Sequence, residues 1–180
     1  MRALSLMPVW NRFEVIERSL CLRVNRGCSV PTVRRLFTLV SRLGDGGFWY
    51  LLMLLLAVSG EGTALVAGQM ALTALAGTGL YKHLKTRLSR ERPYIVCEAI
   101  ELGTAPLDRY SFPSGHTLHA VCFTILAIAH VPQLALVLVP FSLLVGASRV
   151  VLGLHYPTDV VAGGIIGALL ALASLKIWPA

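Results

Sequence analysis

Between Thr117 and Ala147 the chain runs for 31 residues without a lysine, arginine, aspartate or glutamate. About 20 apolar residues cross the hydrocarbon of a bilayer, so this run is too long for one span and calls for two. In lipid every backbone N–H and C=O must be satisfied within its own segment, which makes both spans helical. His130-Val131-Pro132-Gln133 supplies the break between them. Thr63 to Tyr81 adds 19 uncharged residues. Val160 to Trp178 is a further apolar stretch, where Gly163, Gly164 and Gly167 offer a surface for close helix packing and Lys176 and Trp178 serve as interfacial anchors. Phe48 to Ser59 is apolar but short, so its helix must take in Gly44-Asp45-Gly46-Gly47 or begin earlier. These segments predict an all-α fold, a polytopic membrane helix bundle of about five transmembrane helices. A mean hydropathy of +0.71, with 56% hydrophobic and 14% charged residues, excludes an ordinary soluble domain.

Ahead of the spans, Met1 to Arg26 scatters five arginines among apolar residues and has no cleavable-signal pattern. Val9, Phe13, Ile16, Leu20 and Val24 recur at three- or four-residue steps, interspersed with Arg12, Glu14, Glu17, Arg18 and Arg23. Residues 1–27 therefore read as an amphipathic helix, which Trp10 and the arginines suit to the membrane interface. A second short helix follows over about 31–43. The chain thus divides into an interfacial helical region, 1–43, and a membrane-embedded domain, 44–180. The net charge of +7 sits beside apolar runs, which suits anionic lipid headgroups and argues against nucleic acid. Cys21, Cys28, Cys97 and Cys122 form no metal-binding spacing and require no disulfide; Cys122 reads as a small core residue.

Span counting brings the polar segments together. The turns at 60–62 and 130–133 fall on one side of the membrane, and the loop at 82–116 and the stretch at 148–159 on the other. That second side collects three polar islands: Lys85-Thr-Arg-Leu-Ser-Arg-Glu-Arg92-Pro93, then Pro113-Ser114-Gly115-His116, then Ser148-Arg149 with His155 and Asp159. In order and spacing they resemble the three-part signature of the type 2 phosphatidic acid phosphatase superfamily, which includes lipid phosphate phosphatases, prenyl diphosphate phosphatases, glucose-6-phosphatase and the vanadium haloperoxidases. Every signature position from Lys85 to Asp159 is filled, and the alternation of spans is similar to the membrane branch. The resemblance implies hydrolysis of a lipid-borne phosphate or diphosphate: a polyprenyl or undecaprenyl diphosphate, favoured slightly, or a phospholipid phosphate such as phosphatidylglycerol phosphate or phosphatidic acid.

The residues support the same chemistry. A phosphate needs fixed cations, which Lys85, Arg92 and Arg149 supply, the arginines as bidentate forks. Ser114 is a candidate N-cap, so the N–H groups of Gly115 and His116 can receive an anion at a helix N-terminus. His155 is the candidate nucleophile through a phosphohistidine. Asp159, one helical turn on, can orient its ring, and His116 can act as general acid. With the cations supplied by side chains, no metal or other cofactor is implied. The expected partners are the lipid phosphate substrate and membrane lipids.

Plainer readings cover the rest. Lys82, Arg87, Arg90 and Arg109 read as interfacial anchors, His83, His119 and His130 as incidental, and Asp45 as a turn residue. Tyr110 and Tyr156 border the site. Residues 1–42 hold eight arginines and two glutamates on the active-site side, and the positive-inside rule places both in the cytoplasm, in what is expected to be a bacterial inner membrane; the alternative is an outward-facing site with one more N-terminal crossing, which that many arginines would make costly. Three competing functions use the same residues: a lipid phosphotransferase, a lipid-phosphate binder without turnover, and a vanadate-dependent haloperoxidase, which the multiple spans argue against.

Overall fold

The protein is described here from a computed structural model covering residues 9–179, with side chains from Glu14 onward. The interfacial placement expected of Trp10, Arg12 and the first eight residues lies outside the described residues. The described chain is helical: α1 (Val9–Asn25), α2 (Pro31–Arg42), α3 (Phe48–Ser59), α4 (Glu61–Leu88), α5 (Pro93–Val96), α6 (Gly115–His130), α7 (Ala135–Val151) and α8 (Pro157–Ile177). A π-helical turn at Leu43–Gly47 joins α2 to α3, so the helix under Phe48–Ser59 begins at Pro31. Gly46 stands at φ +140 in that turn, a conformation that costs a side-chain-bearing residue dearly. The proline starts are legible in sequence: Pro31, Pro93 and Pro157 each open a helix, where the missing N–H has no cost.

Among the described residues four stretches are long and apolar enough to cross a bilayer: Pro31–Ser59, Glu61–Val96, Pro132–Val151 and Pro157–Ile177. The fifth expected span, α6, has 16 residues. At 1.5 Å per residue it reaches roughly 24 Å, less than the hydrocarbon thickness of about 30 Å. It has no need of the full thickness, because it is surrounded by protein. Leu118, Ala120, Cys122, Phe123, Leu126 and Ala127 are all buried, against α4, α7 and α8. The outer helices carry the lipid-facing side chains, among them Leu65, Leu75, Leu136, Leu143 and Leu169.

Helices α6 and α8 pack backbone to backbone. A Cβ on Gly163 would stand 2.5 Å from the Ser114 carbonyl oxygen, and one on Gly167 would stand 2.2 Å from that of Leu118. The small residues let α8 lie on the α6 backbone. Gly167→Val is expected to force the helices apart and destabilise the protein by about 1–3 kcal/mol. Gly164→Ala, whose Cβ would meet Val121 at an ordinary 3.8 Å, should be neutral. Thermal unfolding in detergent reads both, and equal midpoints for the two variants would refute the contact as a stability determinant.

The amphipathic helix α1 is turned in an informative way. Val15, Ile16 and Leu20 are exposed, while Glu17, Cys21 and Asn25, one turn apart, face inward and are buried. The outward apolar face fits an interfacial helix. The polar stripe grips the protein: the Asn25 amide donates to the carbonyls of Glu101 (2.8 Å) and Val151 (2.9 Å) and accepts from the Glu101 N–H (2.7 Å).

Candidate active site

Helix termini deliver the site. Lys85 lies in the last turn of α4, beyond its apolar stretch, and Ser89, in the left-handed region, caps that helix and turns the chain toward Arg92. Ser114 caps α6, accepting from the Thr117 N–H, so the first-turn N–H groups at Gly115 and His116 have no intrahelical acceptor. Arg149 ends α7, His155 follows in the short loop, and Asp159 stands in the first turn of α8. A cleft of about 630 Å³ is lined by Lys85, Arg92, Gly115, His116, Arg149 and His155. Ser114 and Asp159 lie behind this lining, where the Ser114 N–H donates to the Asp159 carbonyl at 3.0 Å and ties α6 to α8.

The three cations are held differently. The Lys85 ammonium donates to both carboxylate oxygens of Asp108 (2.7 Å each) and to the Tyr110 carbonyl (3.1 Å). Arg92 donates to the Asp108 carboxylate (2.7 Å), the Asp108 carbonyl (3.0 Å) and the Leu154 carbonyl (2.7 Å). Arg149 is only 2% exposed, gives one N–H to Ser41 and leaves its buried Nε without a partner among the described residues. A buried guanidinium with unused donors on a cleft wall is a ready anion receptor.

Those charges set the state of His155. Burial first, then the positive charges of Arg149, Arg92 and Lys85, hold its ring well below the ordinary histidine value, so it stands as a neutral base. Its Nε2 lies 3.4 Å from an Arg92 nitrogen; its Nδ1 lies 3.7 Å from Asp159 Oδ2 and has no hydrogen-bond partner among the described residues. Asp159 Oδ2 instead accepts the Tyr156 N–H at 2.8 Å. Burial raises the Asp108 carboxyl, but the hydrogen bonds and charges of Lys85 and Arg92 outweigh it and leave the group below the usual carboxylate range.

Several residues escaped the sequence reading. Asp45 is more than a turn residue: the π-helical turn places its Oδ1 3.4 Å from His116 Nε2. His119 is not incidental either, since it lines the cleft beside Thr78. Arg90 is no interfacial anchor; it pairs with Glu17 and Asp159, 2.6 Å from each. Asp108, the partner of Lys85 and Arg92, sits in an irregular loop with no periodic signal. Glu17 shares the inward face of α1 with Cys21 and Asn25, which the apolar periodicity of that helix did not mark.

A bundle of membrane helices with a cationic cleft at their ends that opens into an apolar groove is the architecture of a membrane-embedded phosphatase. Residues 62–180 match the PAP2 superfamily, and the chain belongs to that family. It is 31% identical to phosphatidylglycerophosphatase B of Bacillus subtilis, over 78% of this chain and 72% of that one. With the decaprenylphosphoryl-5-phosphoribose phosphatase of Mycolicibacterium smegmatis it shares 42% identity over 82 residues, which is 44% of this chain and 42% of that relative's length. Among solved structures it resembles Aquifex aeolicus LpxE, with a TM-score of 0.76 and 28% identity over 88% of this chain and 93% of that one.

Proposed function

We propose that the protein hydrolyses a lipid-linked phosphate or diphosphate without a metal, through a phosphohistidine, with polyprenyl substrates ahead of phospholipid phosphates. The observation that carries this reading is the shape of the cleft. One end holds Lys85, Arg92, Arg149, His116 and His155; the other runs between α3 and α4 past Trp49, Met53, Ala71, Ala74 and Leu75. A charged headgroup fits the first end and an apolar chain the second. The relatives named above act, by their names, on a phospholipid phosphate and on a polyprenyl-linked phosphate, which is the same range of substrates.

In this scheme Arg149, Arg92, Lys85 and the α6 N-terminus hold the phosphoryl oxygens. The lone pair of His155 Nε2 attacks phosphorus and the bond to the leaving oxygen breaks, with His116, 3.4 Å from the Asp45 carboxylate, delivering a proton to that oxygen. Water then attacks the phosphohistidine, His116 takes its proton, the P–N bond breaks and inorganic phosphate leaves. The eight arginines of residues 1–42 support a cytoplasmic site at a bacterial inner membrane.

The test is phosphate release by the purified protein in detergent with EDTA, across polyprenyl diphosphate, phosphatidylglycerol phosphate and phosphatidic acid. Release from a polyprenyl substrate that exceeds the others supports the ranking, and release that requires an added divalent metal refutes the metal-free scheme. Transfer of phosphate to a lipid without release would make the protein a transferase. His116→Ala is expected to slow release by about 10²–10⁴-fold. The loss should be larger for a phosphate monoester, whose alkoxide leaving group needs the proton, than for a diphosphate. Equal losses on both would remove His116 from the general-acid role.

A further inference from the structure

Behind His155, on the side away from the cleft, a chain of charges reaches back to α1, with a half-buried Arg90 between two buried carboxylates. Glu17 is 5% exposed; its Oε2 accepts from Arg90 at 2.6 Å, and its Oε1 accepts the Thr158 N–H at 3.0 Å and the Thr158 hydroxyl. The other arm of Arg90 donates to Asp159 Oδ1 at 2.6 Å and to the Thr158 hydroxyl at 2.9 Å. The guanidinium itself stacks 4.0 Å above the Tyr156 ring. Asp159 is fully buried, and two buried carboxylates this close need the shared cation between them.

This arrangement decides how Asp159 points. With Oδ1 taken by Arg90, only Oδ2 is left to face the Tyr156 N–H and His155 Nδ1. Arg90 and Glu17 do not line the phosphate cleft; they border a separate crevice of about 230 Å³ with Tyr156. Glu17 also lies outside residues 62–180, the stretch matched to the family.

We infer that Glu17 and Arg90 are positioning residues that act through Asp159, holding its carboxylate in the orientation that presents Oδ2 to His155 Nδ1, so that α1 is part of the catalytic apparatus. The inference rests on His155 being the nucleophile. When the ring is phosphorylated at Nε2 it gains positive charge, and an Asp159 oxygen aimed at Nδ1 stabilises it. An Asp159 free to rotate would not.

The experiment is steady-state phosphate release from a lipid substrate in detergent, comparing wild type, Glu17→Gln, Arg90→Gln, Asp159→Asn and the Arg90→Gln/Asp159→Asn double variant. Misplacing a catalytic group by about 1 Å can cost up to roughly 10²-fold. Arg90→Gln should accordingly lower kcat by about 10-fold or more, with KM within about 2-fold, because neither residue touches the phosphate. Glu17→Gln, which leaves Arg90 in place, should lower kcat by a smaller factor, again at unchanged KM. The double variant should be no slower than Asp159→Asn alone, since residues acting in one chain are non-additive. A purely structural role would multiply the two losses. Wild-type kcat in folded Arg90→Gln, or multiplying losses in the double variant, would overturn the inference. If Arg90→Gln fails to fold, Glu17→Gln decides, with an unchanged kcat overturning it. No release by the wild type itself would sink the phosphohistidine reading and this inference with it.

Discussion

His155→Ala is expected to abolish phosphate release, with kcat falling at least about 10⁴-fold, as when the nucleophile of a covalent mechanism is removed. The protein should stay folded, and its response to acid should improve. Burial and the charges of Arg149, Arg92 and Lys85 keep the folded-state ring neutral well below the ordinary histidine value, whereas the unfolded chain takes up a proton near pH 6.5. The unfolded state therefore binds more protons below that pH, and the stability of the wild type declines as pH falls through it. Without His155 this component of the decline is gone. Activity should show the same depression in mirror image: a neutral nucleophile persists under acid in the free enzyme, so the acid limb of the wild-type kcat/KM profile should lie below about pH 6.5. A His155→Ala protein that still turns over, or an acid limb above that value, would contradict the assignment.

Arg149→Met should separate function from stability. It is 2% exposed, hydrogen-bonds Ser41, has an unpartnered Nε, and meets no carboxylate at ion-pair distance among the described residues. Its donors are spare in the resting protein, and in the proposed mechanism they receive the phosphoryl group. Loss of an arginine that stabilises the charge in phosphoryl transfer costs about 10³–10⁵ in rate, and kcat/KM should fall by that order. The folded protein, relieved of a buried cation held by so little, should become more stable by on the order of 1–4 kcal/mol, read as a higher unfolding midpoint. Arg149→Lys should not rescue catalysis, because an ammonium cannot reproduce the two-pronged grip. A Met variant that keeps wild-type kcat/KM, or that loses several degrees in midpoint, would place Arg149 in a structural role instead.

These two residues were visible in the sequence, and the reason is chemical. An Arg, a His and an Asp within twelve residues beside apolar runs stand out, because charge near hydrocarbon is costly unless it is used. Hydropathy set where the helices fall, and the alternation of crossings put Lys85, Arg92, His116, Arg149 and His155 at one end of the bundle. The Ser114 cap and the Pro157 start were equally local, since each depends on neighbours within a turn. The close approach at Gly163 and Gly167 followed from the absence of a side chain.

Long-range partnership was not written in any local pattern. Asp108 reaches Lys85 across 23 residues, Asp45 meets His116 across the bundle, and Glu17 lies 73 residues from Arg90. Each sits in a segment whose own spacing permits an ordinary surface charge. The length of α6 was also decided by its neighbours: encased by protein, it need not match the hydrocarbon. Period and composition report what one segment wants from its solvent, so by itself the sequence determined the membrane bundle, the end at which its polar groups gather, and the cations and histidines that line the cleft. Which carboxylate neutralises which cation, and hence which arginine is left free for phosphate, depends on distances between segments far apart in the chain, and only the tertiary structure decided it.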